Sequence, residues 1–267
     1  MYEDRYSHGH HESVLRSHLW RTAENSAAFL LPHLAPGLSL LDIGCGPGNI
    51  TADLAARVID GSVVGIDLSA DVIARAVADY PATDNPGLEF RVDDVYALDA
   101  PNDSFDVVYC HQVLQHLSRP ADALSEMRRV LKPQGLLAVR DADFAAFAWW
   151  PGDPLLERWL DVYHQITRRN GADADAGRKL KSWVRSGGFH DVASTSSTWT
   201  YESDEEREWW ADLWADRVVY SEYARQSIEY GITSTRELDE MAAAFRRWAG
   251  DPDGIFILVH GEVLARK

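Results

Sequence analysis

The sequence predicts a doubly wound α/β fold, in which a mostly parallel sheet of seven strands carries helices on both faces. Three observations support this prediction. Short apolar runs alternate with amphipathic helical patterns along the first half of the chain, an order typical of parallel sheets. The apolar run 38–43 ends in a turn with glycines at 44, 46 and 48 that leads straight into a helical pattern. A long apolar run over 255–265 closes the chain and predicts a final strand.

The first half of the chain supplies five strands and the helices between them. Ser118 can cap the last of these helices near Pro120, and the turn 132–135 stops it. Strands that alternate with helices in this way form a parallel sheet covered on both faces. The predicted strands cover 38–43, 62–67, 88–92, 105–110 and 136–139, and the helices cover 50–57, 71–79 and about 120–131.

The second half of the chain has longer helices and fewer strands. Helical patterns cover 155–169 and 179–186, and a Thr- and Ser-rich strand follows over 192–201. Two capping-box patterns, Ser203 with Glu206 and Ser234 with Glu237, predict two further helices before the final strand. The second of these helices has a single buried face, because apolar residues recur at helical spacing at 238, 241, 245 and 248.

Composition excludes several classes of protein. The 267 residues are 46% hydrophobic and 25% charged, with a net charge of -16. Nucleic-acid binders usually show a basic footprint, so nucleic acids and anionic membranes are not expected partners. Two cysteines make no disulfide framework or zinc pattern. The N-terminus lacks a signal-peptide core, and no apolar run approaches the ~20 residues of a membrane span, so we expect a soluble cytoplasmic protein.

The glycine turn differs from a dinucleotide site in its spacing. A dinucleotide fingerprint is Gly-x-Gly-x-x-Gly, whereas here the third glycine comes one residue early and Asn49 occupies the dinucleotide position. Asp42 lies just before the first glycine. The pattern acidic-x-Gly-x-Gly-x-Gly resembles the cofactor loop of the class I S-adenosylmethionine-dependent methyltransferases, and disfavours an NAD(P) oxidoreductase.

The resemblance extends to the order of the elements. It implies five parallel strands followed by two more, of which the last is antiparallel and inserted beside the sixth. The methyltransferase core would then cover residues 36–201 and 251–267. Residues 1–35 and 202–250 are additions to this core, and we expect them to fold together as a helical lid.

Acids after the second and third strands match the needs of S-adenosylmethionine. Asp67 can accept both ribose hydroxyls at the position where dinucleotide folds place their ribose acid, although a helix-capping role for Asp67 or Ser69 is the alternative. Leu68 would pack on the adenine. The resemblance implies that Asp94 accepts from the adenine amino group and that the Val95 N–H meets a ring nitrogen. A turn aspartate is the alternative for Asp94.

The remaining cofactor positions are implied by the resemblance alone. Asp42 would reach the ammonium of the methionyl tail, and Arg21, on a helical stretch over 15–31, would pair with its carboxylate. Tyr6 could close over the sulfonium, whose charge suits an aromatic face, but packing or surface roles for Tyr6 and Arg21 stay open. The backbone around the tail would come from Gly44, Cys45, Gly46 and Gly48, and from the segment after strand four with Cys110, His111, Gln112 and Val113.

Methyl transfer needs a base only if the acceptor must lose a proton. His111 is the best-placed candidate, at the carboxyl end of strand four, and His116 is a second, although a buried structural role is its alternative. Asp141 and the N-terminal histidines His8, His10 and His11 are weaker candidates. We expect no metal, because strand four ends in Cys110 and His111 rather than in the acid found in metal-dependent catechol methyltransferases.

Tryptophans are concentrated in the second half, where nine of the ten lie between Trp149 and Trp248. Packing in the apolar core of a helical lid explains many of these tryptophans. Neighbours on a helix point about 100° apart, so one member of each adjacent pair, 149–150 and 209–210, is expected to face a different side, such as a substrate chamber. Flat rings favour an aromatic or apolar acceptor.

The sequence as a whole indicates a metal-independent methyltransferase that acts on a small organic molecule. It is most similar to the ubiquinone/menaquinone-type enzymes, a branch that the resemblance implies includes methylators of cofactors and of secondary metabolites. Secondary metabolism is the expected setting, and a quinone-biosynthesis C-methyltransferase is the first alternative. A non-catalytic cofactor-binding or interaction protein is the second alternative. A homodimer is one expectation for the assembly. The sequence leaves the acceptor and the methylated atom open.

Overall fold

The computed structural model describes residues 4–7 and 12–267. Eight strands of these residues form a single sheet. The strands are β1 (Ser39–Ile43), β2 (Ser62–Asp67), β3 (Leu88–Val92), β4 (Phe105–His111), β5 (Leu131–Ala142), β6 (Ala148–Trp150), β7 (His190–Tyr201) and β8 (Ile255–Arg266).

The sheet confirms the predicted fold class. Its strand order is β3-β2-β1-β4-β5-β8-β6, with β7 also paired to β8. The first five strands are mutually parallel. The last strand, β8, is antiparallel to β5 on one side and to β7 on the other, which is the insertion that the family resemblance implies. The sequence did not predict β6, a three-residue strand that pairs with the start of β8.

Ten α-helices cover the sheet and its carboxyl edge in the described part of the chain. They are α1 (Glu12–Leu19), α2 (Ala23–Ser26), α3 (Asn49–Ala55), α4 (Ala70–Asp79), α5 (Pro120–Val130), α6 (Pro154–Arg169), α7 (Leu180–Ser186), α8 (Asp204–Tyr220), α9 (Glu222–Glu229) and α10 (Thr235–Ala249).

The predicted caps of α8 and α10 differ in detail. Ser203 and Glu206 form the complete capping box at the start of α8. Ser234 accepts from the Glu237 N–H at the start of α10, but the Glu237 carboxylate does not return to the cap. It accepts instead from the Arg158 guanidinium, at 2.8 Å from Nε. This ion pair links α10 to α6.

One helical prediction is wrong, and one helix was not predicted. The stretch 15–31 is not continuous, because Thr22 and Asn25 form a capping box that starts α2 afresh after α1 has ended at Leu19. The short helix α9, of eight residues, was not predicted. Ser221 accepts from the Tyr223 N–H and so caps it.

Three apolar cores hold the layers together. One lies between the sheet and α5 and α7, and a second lies between the opposite face and α2 and α3. The third, the largest, joins α6, α8, α10 and the start of β8, and it contains the fully buried Trp159 and Trp214. Of the helices described, none has the length and apolar character needed to cross a membrane.

Candidate functional site

A cavity of about 460 Å³ opens at the carboxyl ends of β1, β2 and β4. One part, the loop half, is lined by the glycine turn, the end of β2, the turn 93–96 and the segment 111–117. The other part, the aromatic half, is lined by Trp20, Phe144, Phe147, Trp199, Tyr201, Trp209, Trp210, Trp214 and Arg217. Ligands of doubly wound sheets bind at this edge.

The three glycines of the turn all have positive φ, at 69°, 56° and 87°. A Cβ on Gly44 would lie 2.2 Å from the Val113 side chain, and one on Gly48 would lie 2.6 Å from the Phe90 ring. Packing therefore requires these two glycines. A Cβ on Gly46 would meet only His18, at 3.7 Å. Gly46 thus presents bare backbone to the cavity, where a ligand can approach closely.

Asp67 connects the end of β2 to the glycine turn. Its carboxylate accepts from the Gly46 N–H at 3.2 Å and from the Ser69 N–H at 3.0 Å. The cap of α4 is Ser69, whose hydroxyl accepts from the Val72 N–H, so the capping alternative applies to Ser69. Each Asp67 oxygen has a second lone pair, and the side chain lines the cavity.

Asp42 is a buried acid beneath the turn. It accepts from the Thr51 hydroxyl at 2.6 Å, and burial raises its pKa to about 7. Such a group gains its negative charge readily when a cation binds beside it. Burial also raises the pKa of the neighbouring Cys45 thiol, so Cys45 is a neutral lining group.

The two aspartates after β3 have different environments. The Asp93 carboxylate accepts from the backbone N–H groups of Asp94 and Asp99. Both of its oxygens are therefore used within the turn. Asp94 accepts from the Tyr96 N–H through Oδ1, at 2.9 Å, and its residue is exposed. Asp94 therefore keeps more capacity to accept from a ligand. Leu68 and Val95 line the same part of the cavity.

His111 stands where the two halves meet. It is buried, and neither ring nitrogen has a hydrogen-bond partner among the described residues. Burial, together with the cations Arg140 and Arg21, holds its pKa well below the ordinary value. The ring is therefore neutral at neutral pH, and one of its nitrogens can accept a hydrogen bond.

The residues after His111 are held by neighbouring strands. Gln112 has a φ of 54°, and its side-chain amide lies 2.9 Å from Nε2 of His260 on β8. The Val113 side chain occupies the space that Gly44 leaves. The rings of His116 and Tyr6 are in T-shaped contact, with 4.7 Å between their centroids. Burial lowers the pKa of His116 to about 3.

The remaining candidates divide between the cavity and other places. Tyr6 and Arg21 both line the cavity, and the buried Arg21 Nε has no hydrogen-bond partner in the described chain.

Asp141 does not line the cavity. Its carboxylate accepts from the Gln115 N–H on the other face of β5, and burial raises its pKa to about 8. Asp141 is therefore wrongly placed for a base. The other base candidates, His8, His10 and His11, lie outside the described residues.

The tryptophan pairs do not behave alike. The pair 149–150 lies on β6 rather than on a helix. Trp149 packs against the core and Trp150 faces solvent with 63% of its surface exposed, so the two do face different sides, but neither lines the cavity. Trp209 and Trp210 lie on α8 and both line the cavity. The indole of Trp210 stacks on the Tyr201 ring at 4.5 Å.

Several lining residues escaped the sequence analysis, among them Trp20, Phe144, Tyr201 and Arg217. The sequence does carry one signal of a buried polar site. Arg140 and Glu262 interrupt apolar strands, and they form a buried pair at 3.3 Å across β5 and β8.

Residues 4–7 cross from the core to the helices. The Asp4 carboxylate accepts from the Ser118 N–H at 3.0 Å. The Tyr6 carbonyl accepts from the Gln226 amide, and the Ser7 hydroxyl accepts from the Asn170 amide. This short segment therefore joins the loop half of the cavity to α6 and α9.

The fold and the site together define a class of protein, namely doubly wound α/β proteins with a nucleotide-type cofactor site at the carboxyl edge of the sheet. Comparison with known proteins identifies the family. A family model described as a methyltransferase domain matches residues 41–139. An uncharacterized methyltransferase of Schizosaccharomyces pombe is 30% identical over 98% of this chain and 96% of its own length. A probable methyltransferase of Aspergillus luteorubrus is 32% identical over 99% of this chain and 98% of its own.

A solved structure has the same fold. The phosphoethanolamine N-methyltransferase 2 of Haemonchus contortus, in complex with phosphomonomethylethanolamine and S-adenosylhomocysteine, superposes with a TM-score of 0.53 at 18% identity. The match covers 88% of this chain and 49% of that one. This chain therefore belongs to the class I S-adenosylmethionine-dependent methyltransferases. It is an enzyme that transfers a methyl group, and its cofactor is S-adenosylmethionine.

The loop half fits this cofactor. The bare backbone of Gly46 leaves room for an amino-acid tail, and Asp42 beneath it can match an ammonium. Asp67 and Asp94 are acceptors with free lone pairs at the ends of β2 and β3.

Proposed function

We propose that the enzyme methylates a small aromatic or otherwise apolar molecule by in-line displacement, without a metal. The observation that carries the proposal is the continuity of the cavity. The loop half, which suits the cofactor, runs directly into the aromatic half, and His111 stands at the junction with both ring nitrogens unpartnered among the described residues.

The loop half would hold the cofactor at four points. Asp42 would accept from the tail ammonium, Arg21 would pair with the tail carboxylate, and Asp67 would accept from the ribose hydroxyls. Asp94, with Leu68 and Val95, would bind the adenine. The tail would lie along Gly44, Cys45, Gly46 and Gly48, with Tyr6, His111, Gln112 and Val113 around the sulfonium.

The aromatic half supplies the surface for the acceptor. Trp199, Tyr201 and Trp209 offer flat faces and edges, which pack against planar ligands with high apolar contact area. The buried walls also keep water from the reacting atoms. These features support an aromatic acceptor over a flexible polar one.

When bound, S-adenosylmethionine supplies a methyl group on a positively charged sulfur. A bond forms between this methyl carbon and the acceptor atom as the carbon–sulfur bond breaks, which leaves a neutral thioether. An acceptor that carries a hydrogen loses it as a proton, and the neutral ring of His111 would take that proton. His116 is the second candidate for this role, and its pKa of about 3 makes its ring a weak base.

The wider setting is also a proposal. The two cysteines are buried and unpaired, which agrees with the reducing conditions of the cytoplasm. We infer a small-molecule pathway of secondary metabolism as the setting. The lid of residues 1–35 and 202–250 over a core of 36–201 and 251–267 agrees with the contacts of residues 4–7 with α6 and α9. A homodimer stays a prediction.

The test is methyl transfer from isotope-labelled cofactor to a panel of simple acceptors. The panel compares naphthols, catechols and aromatic carboxylates with aliphatic alcohols and amines. We expect label only on aromatic members and no loss of activity in EDTA. Label confined to aliphatic members would contradict the aromatic acceptor, and EDTA inhibition reversed by magnesium would contradict the metal-free mechanism.

A further inference from the structure

We propose that Asn49 is a positioning residue that holds the turn 18–21, and that this turn couples cofactor binding to acceptor binding. The inference rests on the proposed function, because it uses the pairing of Arg21 with the tail carboxylate and the aromatic acceptor site. It gives a role to the residue that occupies the position of the third dinucleotide glycine.

Asn49 is the first residue of α3 and follows the glycine turn directly. Its side-chain Nδ2 donates to the carbonyl of His18 at 3.0 Å and to the carbonyl of Arg21. Carbonyl oxygens only accept, so the amide nitrogen of Asn49 faces the turn. The Arg21 N–H closes the same turn on the His18 carbonyl at 3.1 Å. One amide therefore fixes both ends of the turn 18–21.

The turn brings two adjacent side chains to the cavity, one for each half. Arg21 is the residue that would bind the cofactor's carboxylate, and Trp20 belongs to the aromatic half. The Trp20 ring is in T-shaped contact with the Trp199 ring, with 5.2 Å between centroids. It also lies 5.7 Å from the rings of Tyr201 and Trp209. A shift of the turn would thus move a cofactor contact and an acceptor contact together.

The segment after the turn is held by other groups. The Ala23 N–H donates to the Asp53 carboxylate on α3 at 2.9 Å, and the Trp199 indole donates to the Asn25 carbonyl at 2.7 Å. The Asn25 amide also donates to the Trp20 carbonyl at 3.2 Å. Because Asn25 belongs to the same N-terminal segment as the turn, it does not connect the turn to the cofactor loop, whereas Asn49 does.

The exposure of Trp20 indicates that its position depends on the turn. Trp20 is 37% exposed, whereas its neighbour Trp199 is 7% exposed and therefore fixed by packing. A carboxylate on Arg21 and a planar acceptor against Trp20 require the turn in one position. Whichever ligand binds first orders the turn, so the second ligand binds a site that is already ordered, which is positive coupling.

The test compares two cofactor products that differ in one group. S-adenosylhomocysteine has the tail carboxylate, and decarboxylated S-adenosylhomocysteine lacks only this group. Calorimetry measures 2-naphthol binding to the enzyme saturated with each product. We expect the wild type to bind 2-naphthol about five- to tenfold more tightly beside S-adenosylhomocysteine.

Replacement of Asn49 should remove this difference. Asn49→Asp keeps the shape of the side chain but has no N–H to donate to the two carbonyls, so the ratio of the two 2-naphthol affinities should fall to about one. Asn49→Ala removes the same hydrogen bonds without adding a charge. It should also lower the ratio, and it decides the question if Asn49→Asp does not fold.

Asn85→Asp is the matched control. Asn85 is half-buried, and its amide also donates to a backbone carbonyl, that of Pro81 at 3.1 Å, but it does not line the cavity. This variant should keep the wild-type ratio. A loss of stability alone lowers the fraction of folded protein equally in both complexes, so it does not change the ratio.

The outcomes separate this inference from the proposed function. Equal 2-naphthol affinity in the two wild-type complexes, or a wild-type ratio in a folded Asn49 variant, would overturn the inference and leave the proposed function standing. If 2-naphthol binds neither complex, the aromatic acceptor of the proposed function fails, and the coupling fails with it. Equal affinity of the wild type for the two cofactor products would remove Arg21 from the carboxylate and would also overturn the coupling.

Discussion

The two halves of the cavity are built in different ways. The loop half consists of backbone and short side chains at the ends of neighbouring parallel strands, and its acids interact mainly with N–H groups nearby. The aromatic half is assembled from large side chains on separate elements, including β7, α8 and the segment after α1. The contrast indicates that one half is fixed by the fold itself, whereas the other depends on how the helices pack.

The largest effect is expected from filling the loop half. Gly46→Val places a side chain where the cavity is open, so affinity for S-adenosylhomocysteine should fall at least about 100-fold, or ~2.7 kcal/mol. Gly37→Val is the control, because Gly37 also has positive φ but has no atom within 4 Å of its Cβ position. Both variants should lose similar stability through backbone strain, about 1–2 kcal/mol. Calorimetry that finds wild-type affinity in Gly46→Val would place the tail elsewhere.

A replacement of His111, at the junction of the two halves, should affect proton transfer and leave cofactor binding nearly unchanged. His111→Gln should lower kcat about 100-fold for an acceptor that must lose a proton, while affinity for S-adenosylhomocysteine changes little. The exposed His33→Gln is the control. Because the His111 pKa lies well below 6.5, protonation of this ring should not reduce wild-type turnover between pH 8 and 6. An unchanged kcat in His111→Gln would remove the ring from the proton transfer.

Asp42 should make the free energy of unfolding depend on pH. With a folded-state pKa of about 7 against 3.8 for the free acid, Asp42 is protonated in the folded protein and ionised in the unfolded chain between these values. The free energy of unfolding should therefore fall as pH rises from about 4 to 7, more steeply in the wild type than in Asp42→Asn. Denaturant titrations at pH 5 and 7 measure this difference.

The same titration should appear in cofactor binding. A tail ammonium favours ionised Asp42, so affinity for S-adenosylhomocysteine should rise about fivefold from pH 6 to 7 in the wild type. Asp42→Asn should show no such rise. Equal pH dependence in both proteins would mean that Asp42 does not face the tail.

The smallest effect is expected in the aromatic half. Trp209→Ala should raise the KM for an aromatic acceptor about 3- to 10-fold, since one ring contact of about 0.5–1.5 kcal/mol is lost, and should leave cofactor affinity unchanged. Trp150→Ala is the matched control, because Trp150 is exposed and lies outside the cavity. Steady-state kinetics that give equal KM values for both variants would contradict the aromatic acceptor site.

The sequence was sufficient to predict the loop half because its signals are local. Glycine spacing, strand ends and the acids after them lie within a few residues of one another, and the register of parallel strands then brings them together. The five parallel strands follow from the same alternation of elements, whereas the antiparallel β8 was implied by the family resemblance. The roles of Asp42, Asp67 and Asp94 stay predictions, but their positions lie together at the cavity as expected.

The aromatic half could not be predicted because its residues meet only through tertiary packing. Helix α8 buries residues on several sides, because the consecutive residues Leu213, Trp214 and Ala215 are all buried, so no apolar stripe indicates which side faces the cavity. At β5, neighbouring residues point to opposite faces. Nothing local distinguishes Arg140, on the face shared with His111, from Asp141 on the other face.

The concentration of lining residues on α8 has an evolutionary consequence. Trp209, Trp210, Trp214 and Arg217 all come from this 17-residue helix, whereas none of the glycine turn or the strand-end acids does. Mutations in this one helix would therefore alter a large part of the wall of the proposed acceptor site and leave the glycine turn and the strand-end acids unchanged. We expect a chimaera that exchanges α8 with that of a relative to change its choice of acceptor and to keep its affinity for S-adenosylhomocysteine.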